Sequence, residues 1–112
     1  MKIAIPVYNG TLSPHFGHAE SFAMVDVDKS NAEIGSVSVL RAPDHQPGVL
    51  PAWLSRNGAD VIIAGGMGSR ARNLFEGYGI RVVVGAAVGR PEEIVKAYLA
   101  DRLQLGENVC DH

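Results

Sequence analysis

The amino-acid sequence predicts a three-layer α/β/α protein in which helices cover both faces of a five-stranded mixed sheet. Two patterns support this class. Alternating apolar stretches fill the first part of the chain, and apolar runs alternate with helical-period segments in the rest. The length of 112 residues is that of one domain. We therefore expect a single domain over 1–105 and a polar C-terminal tail over 106–112.

The first three predicted strands lie at 2–7, 21–27 and 34–41. Apolar residues alternate in them with small or polar neighbours, as in strands with one buried face. The turn cluster DKSN separates the second strand from the third. We therefore expect the three strands to form an antiparallel meander.

The second half of the chain alternates helices and buried strands. In chain order, we predict a helix at 49–57, a strand at 60–66, a helix from Ser69 to about Gly77, a strand at 80–86 and a helix that begins at Pro91. Ser69 is the predicted N-cap of the middle helix. Right-handed crossovers then place the last two strands beside the first, so the strand order is 3-2-1-4-5 with strand 2 antiparallel.

Composition excludes several classes of protein. The formal net charge is −2, from 10 basic and 12 acidic residues, and neither sign forms a block. A basic face for nucleic acid and a basic amphipathic stripe for membranes are both missing, so neither partner is expected. The start MKIAIPVY is too short for the apolar region of a signal peptide, which predicts a cytoplasmic protein. The single cysteine, Cys110, rules out an internal disulfide framework and a four-cysteine iron–sulfur site within one chain.

Histidines concentrate in loops that the predicted topology brings to one end of the sheet. The loop after the first strand reads PHFGH, with His15 and His18, and the loop after the third strand carries His45. Ligands of open α/β sheets bind at the carboxyl ends of the strands, so these imidazoles are candidate metal or cofactor ligands. The alternative is a plain turn, in which Phe16 fills the core, Gly17 has a positive φ, and the histidines are solvated.

The loop after the fourth predicted strand reads GGMGSRA and enters a helix. It matches the dinucleotide pattern G-x-G-x-x-A, but no acidic residue lies about twenty positions further on, where a ribose partner belongs. It also lacks the lysine of a phosphate-binding loop. We predict a helix N-terminus that favours anions, with these candidate cofactor contacts: Gly66, Met67, Gly68, Ser69 and Arg70. The alternative is that the glycines only permit a tight turn.

The chain ends in Cys110, Asp111 and His112. A thiolate and an imidazole two positions apart are ligands for zinc, copper or iron, although tails are usually without function. The last predicted helix runs away from the histidine loops, so this tail starts at the opposite end of the sheet. Its half-dozen residues can span about 20 Å, enough to return to the loops, reach another subunit or form a separate site.

Catalytic arrangements are scarce, and we expect no enzyme. No serine lies in a nucleophile elbow, and Cys110 has only a neighbour in the tail as a possible base. The strand order resembles that of ribonuclease H, whose chemistry needs clustered carboxylates for two metals. The first strand, KIAIPVY, has none, which argues against a nuclease.

These stretches together resemble the dinitrogenase iron–molybdenum cofactor biosynthesis family, with its NifX/NafY-like and NifB-C-terminal-like domains. The resemblance covers nearly the whole chain, through MKIAIPVYNG, PHFGHAESF, ADVIIAGGMGSRA and GIRVVVGA. It implies a ribonuclease H-like fold and non-covalent binding of a preformed iron–sulfur or molybdenum–iron–sulfur cluster, for carriage or storage and without catalysis. A related member, the orange protein, holds a molybdenum–copper–sulfide cluster.

The resemblance also implies roles for particular residues. The family pattern F-G-x-A is matched at 16–19, and loop histidines proposed as cluster ligands correspond to His15, His18 and His45. The terminal CDH resembles a feature of stand-alone members outside nitrogen fixation, often encoded near nucleotide-binding iron–sulfur scaffold ATPases. Three hypotheses follow. The first is a cluster carrier in cofactor assembly or delivery. The second is a binder of a single zinc, copper or nickel ion through Cys110, His112 and a histidine from the same or another chain, and the third is a metal-independent module that regulates a scaffold ATPase or an electron-transfer partner.

Overall fold

The structure is a computed structural model that describes residues 1–28, 30–43 and 48–106, with only the backbone of His18. Its strands are β1 (Lys2–Tyr8), β2 (Thr11–Leu12), β3 (Ser21–Asp28), β4 (Glu33–Arg41), β5 (Val61–Ile63) and β6 (Arg81–Val83), and its helices are α1 (Val49–Arg56), α2 (Ser69–Gly77) and α3 (Pro91–Leu99). The predicted mixed α/β class is confirmed.

The strands form one mixed sheet of order β4-β3-β1-β5-β6, with β2 paired to β1. β3 lies antiparallel to both β1 and β4, which confirms the meander, whereas β5 lies parallel to its two neighbours, β1 and β6. The prediction of five strands is wrong, because Thr11 and Leu12 fold back on the end of β1 as a sixth. A two-residue strand is too short to show alternation in the sequence.

Helices cover both faces of the sheet, and each face has its own core. On one face, α1 and α2 bury Leu54 and Phe75 against Phe22 and Ile62. On the other face, α3 packs Val95 against the strands. Among the described residues, no helix is long and apolar enough to cross a bilayer.

The two parallel strands β5 and β6 are shorter than the apolar runs that predicted them. β5 ends at Ile63, although the apolar run continues to Gly66. Beyond Ile63 the chain stays buried but pairs irregularly, as in the bond from the Ala64 N–H to the Val83 oxygen at 2.8 Å. The buried continuation of the run is therefore part of the loops at the carboxyl end of the sheet, where the candidate site lies.

Candidate functional site

Two predicted loops meet directly at the carboxyl end of the parallel strands. His15, in the loop after β1, forms a parallel bridge with Gly66, in the loop after β5. The Phe16 N–H donates to the Gly66 oxygen at 2.9 Å. The loop that reads PHFGH at 14–18 (the histidine loop) and the loop that reads GGMGSRA at 65–71 (the glycine loop) are thus joined by backbone hydrogen bonding. They meet at the place where open α/β sheets bind ligands.

A buried serine, Ser13, is hydrogen-bonded to the backbone of His15. Ser13 is 1 % exposed, and its Oγ donates to the His15 oxygen at 2.7 Å. The Ser13 N–H donates to the Pro6 oxygen at 2.8 Å, which ties this segment to β1. His15 itself is exposed and extended, with φ −125° and ψ 121°. Its imidazole therefore projects from a backbone position fixed by several hydrogen bonds.

Phe16 anchors the same loop in the core. Its ring makes edge contacts with Phe22 and Phe75, at centroid distances of 5.9 Å and 5.4 Å. The expectation that Phe16 fills the core is confirmed. The expected positive φ at Gly17 is wrong, because residues 16–18 form a short 3-10 turn and Gly17 lies outside the left-handed region. A Cβ at Gly17 would meet nothing within 4 Å, so neither the backbone nor the space requires glycine there.

The glycine loop is packed tightly against the histidine loop. A Cβ on Gly65 would lie 3.0 Å from the Pro14 oxygen and 3.1 Å from the Pro14 Cα. Gly65 and Gly66 are buried, and Met67 is 0 % exposed within the core. Met67 is thus a packing residue with no exposed surface, and its contact with a cofactor stays a prediction.

The loop ends at the N-terminus of α2. Gly68 is the N-cap, with φ −68° and ψ 156°, so the predicted N-cap at Ser69 is wrong by one residue. Ser69 is instead the first helical residue. Ser69 and Arg70 are both exposed. The helix dipole and the Arg70 guanidinium give this rim of the site a preference for negative charge.

Two further chain segments complete this end of the sheet, through contacts that the sequence did not predict. The Gly85 N–H donates to the Gly65 oxygen at 2.8 Å, and the Gly106 N–H donates to the Gly85 oxygen at 2.7 Å. Leu105 also forms an antiparallel bridge with Ala86. A glycine at each crossing was the available signal, because a Cβ at Gly65 or Gly85 would press on the neighbouring backbone.

Several predicted ligands lie outside the residues that the structure describes. His45, Cys110 and His112 are not among the described residues, and for His18 only the backbone position at the end of the 3-10 turn is given. Across the side chains that are described, no three His, Cys, Asp or Glu residues form a group suited to a metal ion. The described part of the site therefore offers one exposed imidazole, backbone groups and a positively charged rim.

Comparisons with known proteins cover nearly all of this fold. The chain is 35 % identical over 109 residues to the uncharacterized protein MJ0580 of Methanocaldococcus jannaschii, an alignment that spans 93 % of this chain and 90 % of that one. The crystal structure of PH0822 superposes with a TM-score of 0.87 at 31 % identity, over 96 % of both chains.

The apo form of the orange protein from Desulfovibrio gigas superposes with a TM-score of 0.71 at 21 % identity, over 96 % of this chain and 93 % of that one, a likeness of fold. The family model described as dinitrogenase iron-molybdenum cofactor matches residues 1–101, a range that holds both joined loops and Gly85. The chain belongs to the dinitrogenase iron-molybdenum cofactor family.

Proposed function

We propose that this protein is a non-enzymatic carrier of a preformed iron–sulfur or molybdenum–iron–sulfur cluster, held at the carboxyl end of the sheet where the histidine loop and the glycine loop meet. The observation that carries the proposal is the bridge between His15 and Gly66, which sets an exposed imidazole beside the loop that enters α2. The family supports a role related to binding the iron–molybdenum cofactor.

The donor set favours a cluster over a single ion at this place. A mononuclear zinc site needs about three or four protein ligands, and the described side chains provide no such group. A preformed cluster brings its own sulfides, so one or two imidazoles suffice to attach it. The exposed N-terminus of α2 and Arg70 would offset its negative charge. So few protein ligands would leave the cluster exchangeable, as delivery to an acceptor requires.

The proposal extends to the location, pathway and partner of the protein. We place it in the cytoplasm, in metallocofactor assembly, with a nucleotide-binding iron–sulfur scaffold ATPase as the candidate partner. The ribonuclease H-like class belongs to the same proposal. It is supported by the antiparallel strands β3 and β4 beside a parallel half, with helices on both faces.

Anaerobic reconstitution of the full chain tests the function. With ferrous iron and sulfide, with and without molybdate, we expect visible absorbance bands and acid-labile sulfide to elute with the protein. Elemental analysis after gel filtration should give iron and sulfide in a fixed ratio to the chain. Iron that elutes without sulfide would contradict a cluster carrier, and so would protein that elutes free of both.

A second candidate function is the binding of a single zinc, copper or nickel ion through Cys110 and His112. The position of Gly106 favours it, because its bond to Gly85 starts the terminal segment at the same end of the sheet as His15. Deletion of residues 110–112 discriminates between the two functions. We expect the truncated chain to lose single-ion binding in calorimetric titrations and to retain the reconstituted cluster. A truncated chain that still binds the single ion would contradict this second function, and one that loses the cluster would assign cluster ligands to the tail.

A further inference from the structure

Strand β4 forms one edge of the sheet, and among the described residues no strand pairs with its outer side. It is nine residues long, and seven of the nine are exposed. Val37 and Val39 pair with Val25 and Ala23 of β3 on the face that α3 covers. The helix nevertheless leaves Val37 39 % and Val39 63 % exposed. A long edge strand with exposed apolar side chains is a template for pairing with another strand.

The direction of the backbone groups along β4 follows from its bonding to the chain before β3. The Ala42 N–H donates to the Glu20 oxygen at 3.0 Å, toward the interior of the sheet. Inward-pointing and outward-pointing residues alternate along an antiparallel strand, so the N–H and C=O groups of Val37, Val39 and Arg41 point to the free edge. The register of β4 against β3 is regular over this part and shifts only nearer the start of β4.

The second half of β4 lacks the usual protection of an edge strand. Natural proteins protect such edges with lysine, proline, bulges or a covering element. The β4 sequence EIGSVSVLR contains neither lysine nor proline, and the irregularity of its pairing lies before Val37. The charged residues of the strand are Glu33 at its start and Arg41 at its end, both exposed, and the stretch between them is uncharged.

The charges at the two ends of β4 favour a second copy of the same strand as its partner. Antiparallel pairing of two β4 strands brings Arg41 of each copy toward Glu33 of the other, so that opposite charges meet twice. Parallel pairing would bring like charges together. The Glu33 carboxylate accepts a long hydrogen bond from Asn31 Nδ2, at 3.4 Å, and stays exposed to a new partner. A two-fold axis relates two such antiparallel strands, and this is the commonest symmetry of homodimers.

We propose that two copies of this protein associate through antiparallel pairing of their β4 strands into one continuous sheet. In the sheet, β3 and β1 lie between β4 and β5, so the pairing leaves the histidine loop and the glycine loop uncovered. Because the paired strands run in opposite directions, the two candidate sites face opposite ends of the dimer. The association goes beyond the proposed function and requires no cargo. It is tested with metal-free protein, so the two proposals fail separately.

Analytical ultracentrifugation of the metal-free full chain at rising concentrations measures the dissociation constant of the dimer. Val39→Lys enters the interface twice, so we expect it to raise this constant by at least about tenfold. Val88→Lys is the matched control, because Val88 is a valine of similar exposure, 60 %, in the loop after β6. This control should dimerise like the parent. A parent that stays monomeric at every concentration would overturn the proposal, as would a dimer that Val39→Lys leaves unchanged.

Reversal of the end charges tests the antiparallel arrangement. Arg41→Glu should raise the dissociation constant by about five- to tenfold, because acidic side chains then face each other at both ends. Adding Glu33→Arg should restore the constant to within about threefold of the parent, since opposite charges meet again. Thermal unfolding checks that each variant is folded. A double variant that dimerises no better than Arg41→Glu would contradict antiparallel pairing.

Amide hydrogen exchange identifies the strand that pairs. At concentrations where the dimer forms, the outward-pointing amides of Val37, Val39 and Arg41 should exchange at least about tenfold more slowly than in dilute protein. The amides of Ser38 and Leu40 point toward β3 and should exchange at the same rate in both. If the outward-pointing amides exchange equally fast in the monomer and the dimer, the interface lies elsewhere and the proposal is wrong.

Discussion

The double variant His15→Ala/His18→Ala is expected to lose its cluster during gel filtration while remaining folded. The bridge to Gly66 uses the backbone of His15, and the Ser13 hydroxyl also binds a backbone oxygen, so these contacts survive the substitution. What disappears is the pair of imidazoles. Loss of groups that merely orient a metal ligand costs about 10- to 100-fold in affinity, so loss of the ligands themselves should cost more than about 100-fold.

The measurement is iron and sulfide per chain after anaerobic reconstitution, with thermal unfolding of the cluster-free proteins as the test of folding. The matched control is Asn73→Ala/Lys96→Ala, two exposed helical positions outside the joined loops. We expect this control to bind cluster like the parent. A His15→Ala/His18→Ala protein that retains as much cluster as the parent would show that the site lies elsewhere.

The variant Gly65→Ala is expected to separate the two loops and to weaken both folding and cluster binding. The added methyl group would press on the Pro14 backbone, with contacts of 3.0 Å and 3.1 Å, and on Leu12 Cδ2 at 3.2 Å. Backbone atoms yield less readily than the end of a flexible side chain. Overpacking of this kind typically lowers the free energy of unfolding by about 1–3 kcal/mol. We also expect reconstituted cluster to fall, because the bridge between His15 and Gly66 is adjacent to the strained contact.

Urea unfolding followed by circular dichroism measures the first effect, and iron content after reconstitution measures the second. Gly77→Ala is the control, since a Cβ there meets nothing within 4 Å and the residue lies in α2. This substitution should be neutral or stabilise by up to about 1 kcal/mol, because alanine favours a helix over glycine. Equal stability of the Gly65→Ala and Gly77→Ala proteins would argue that the loops are not packed as tightly as described.

The elements with clear periodicity were predictable from the sequence. The antiparallel meander, the helix from Ser69 to Gly77 and the helix that begins at Pro91 are present as predicted. The errors fall where local patterns are short or ambiguous. The two residues of β2 carry no period, and the apolar run after Asp60 does not reveal that β5 ends at Ile63. Gly68 is the N-cap in place of Ser69. The helix begins at Ser69, one residue earlier than the N-cap preference for serine implies.

For the site, sequence reasoning found the two loops but not how they are joined. The histidine and glycine stretches follow strands that had to share one sheet end, so their approximate meeting was predictable from topology. The buried Ser13 that holds the His15 backbone had no signal, since its role depends on a carbonyl oxygen two residues away and on burial. The exposure of His15 and the burial of Met67 likewise depend on how the loops pack.

By itself, the sequence determined the class of fold and the family and predicted candidate metal ligands, because periodicity and residue type act locally. The tertiary structure alone decided which segments touch. Hydrogen bonds between backbones far apart in the chain, from Phe16 to Gly66, from Gly85 to Gly65 and from Gly106 to Gly85, leave no pattern beyond a glycine at each crossing. Those contacts set His15 beside the glycine loop and start the terminal segment at the same end of the sheet. Only the folded chain brings these distant backbone segments close together, so the sequence alone does not reveal the contacts.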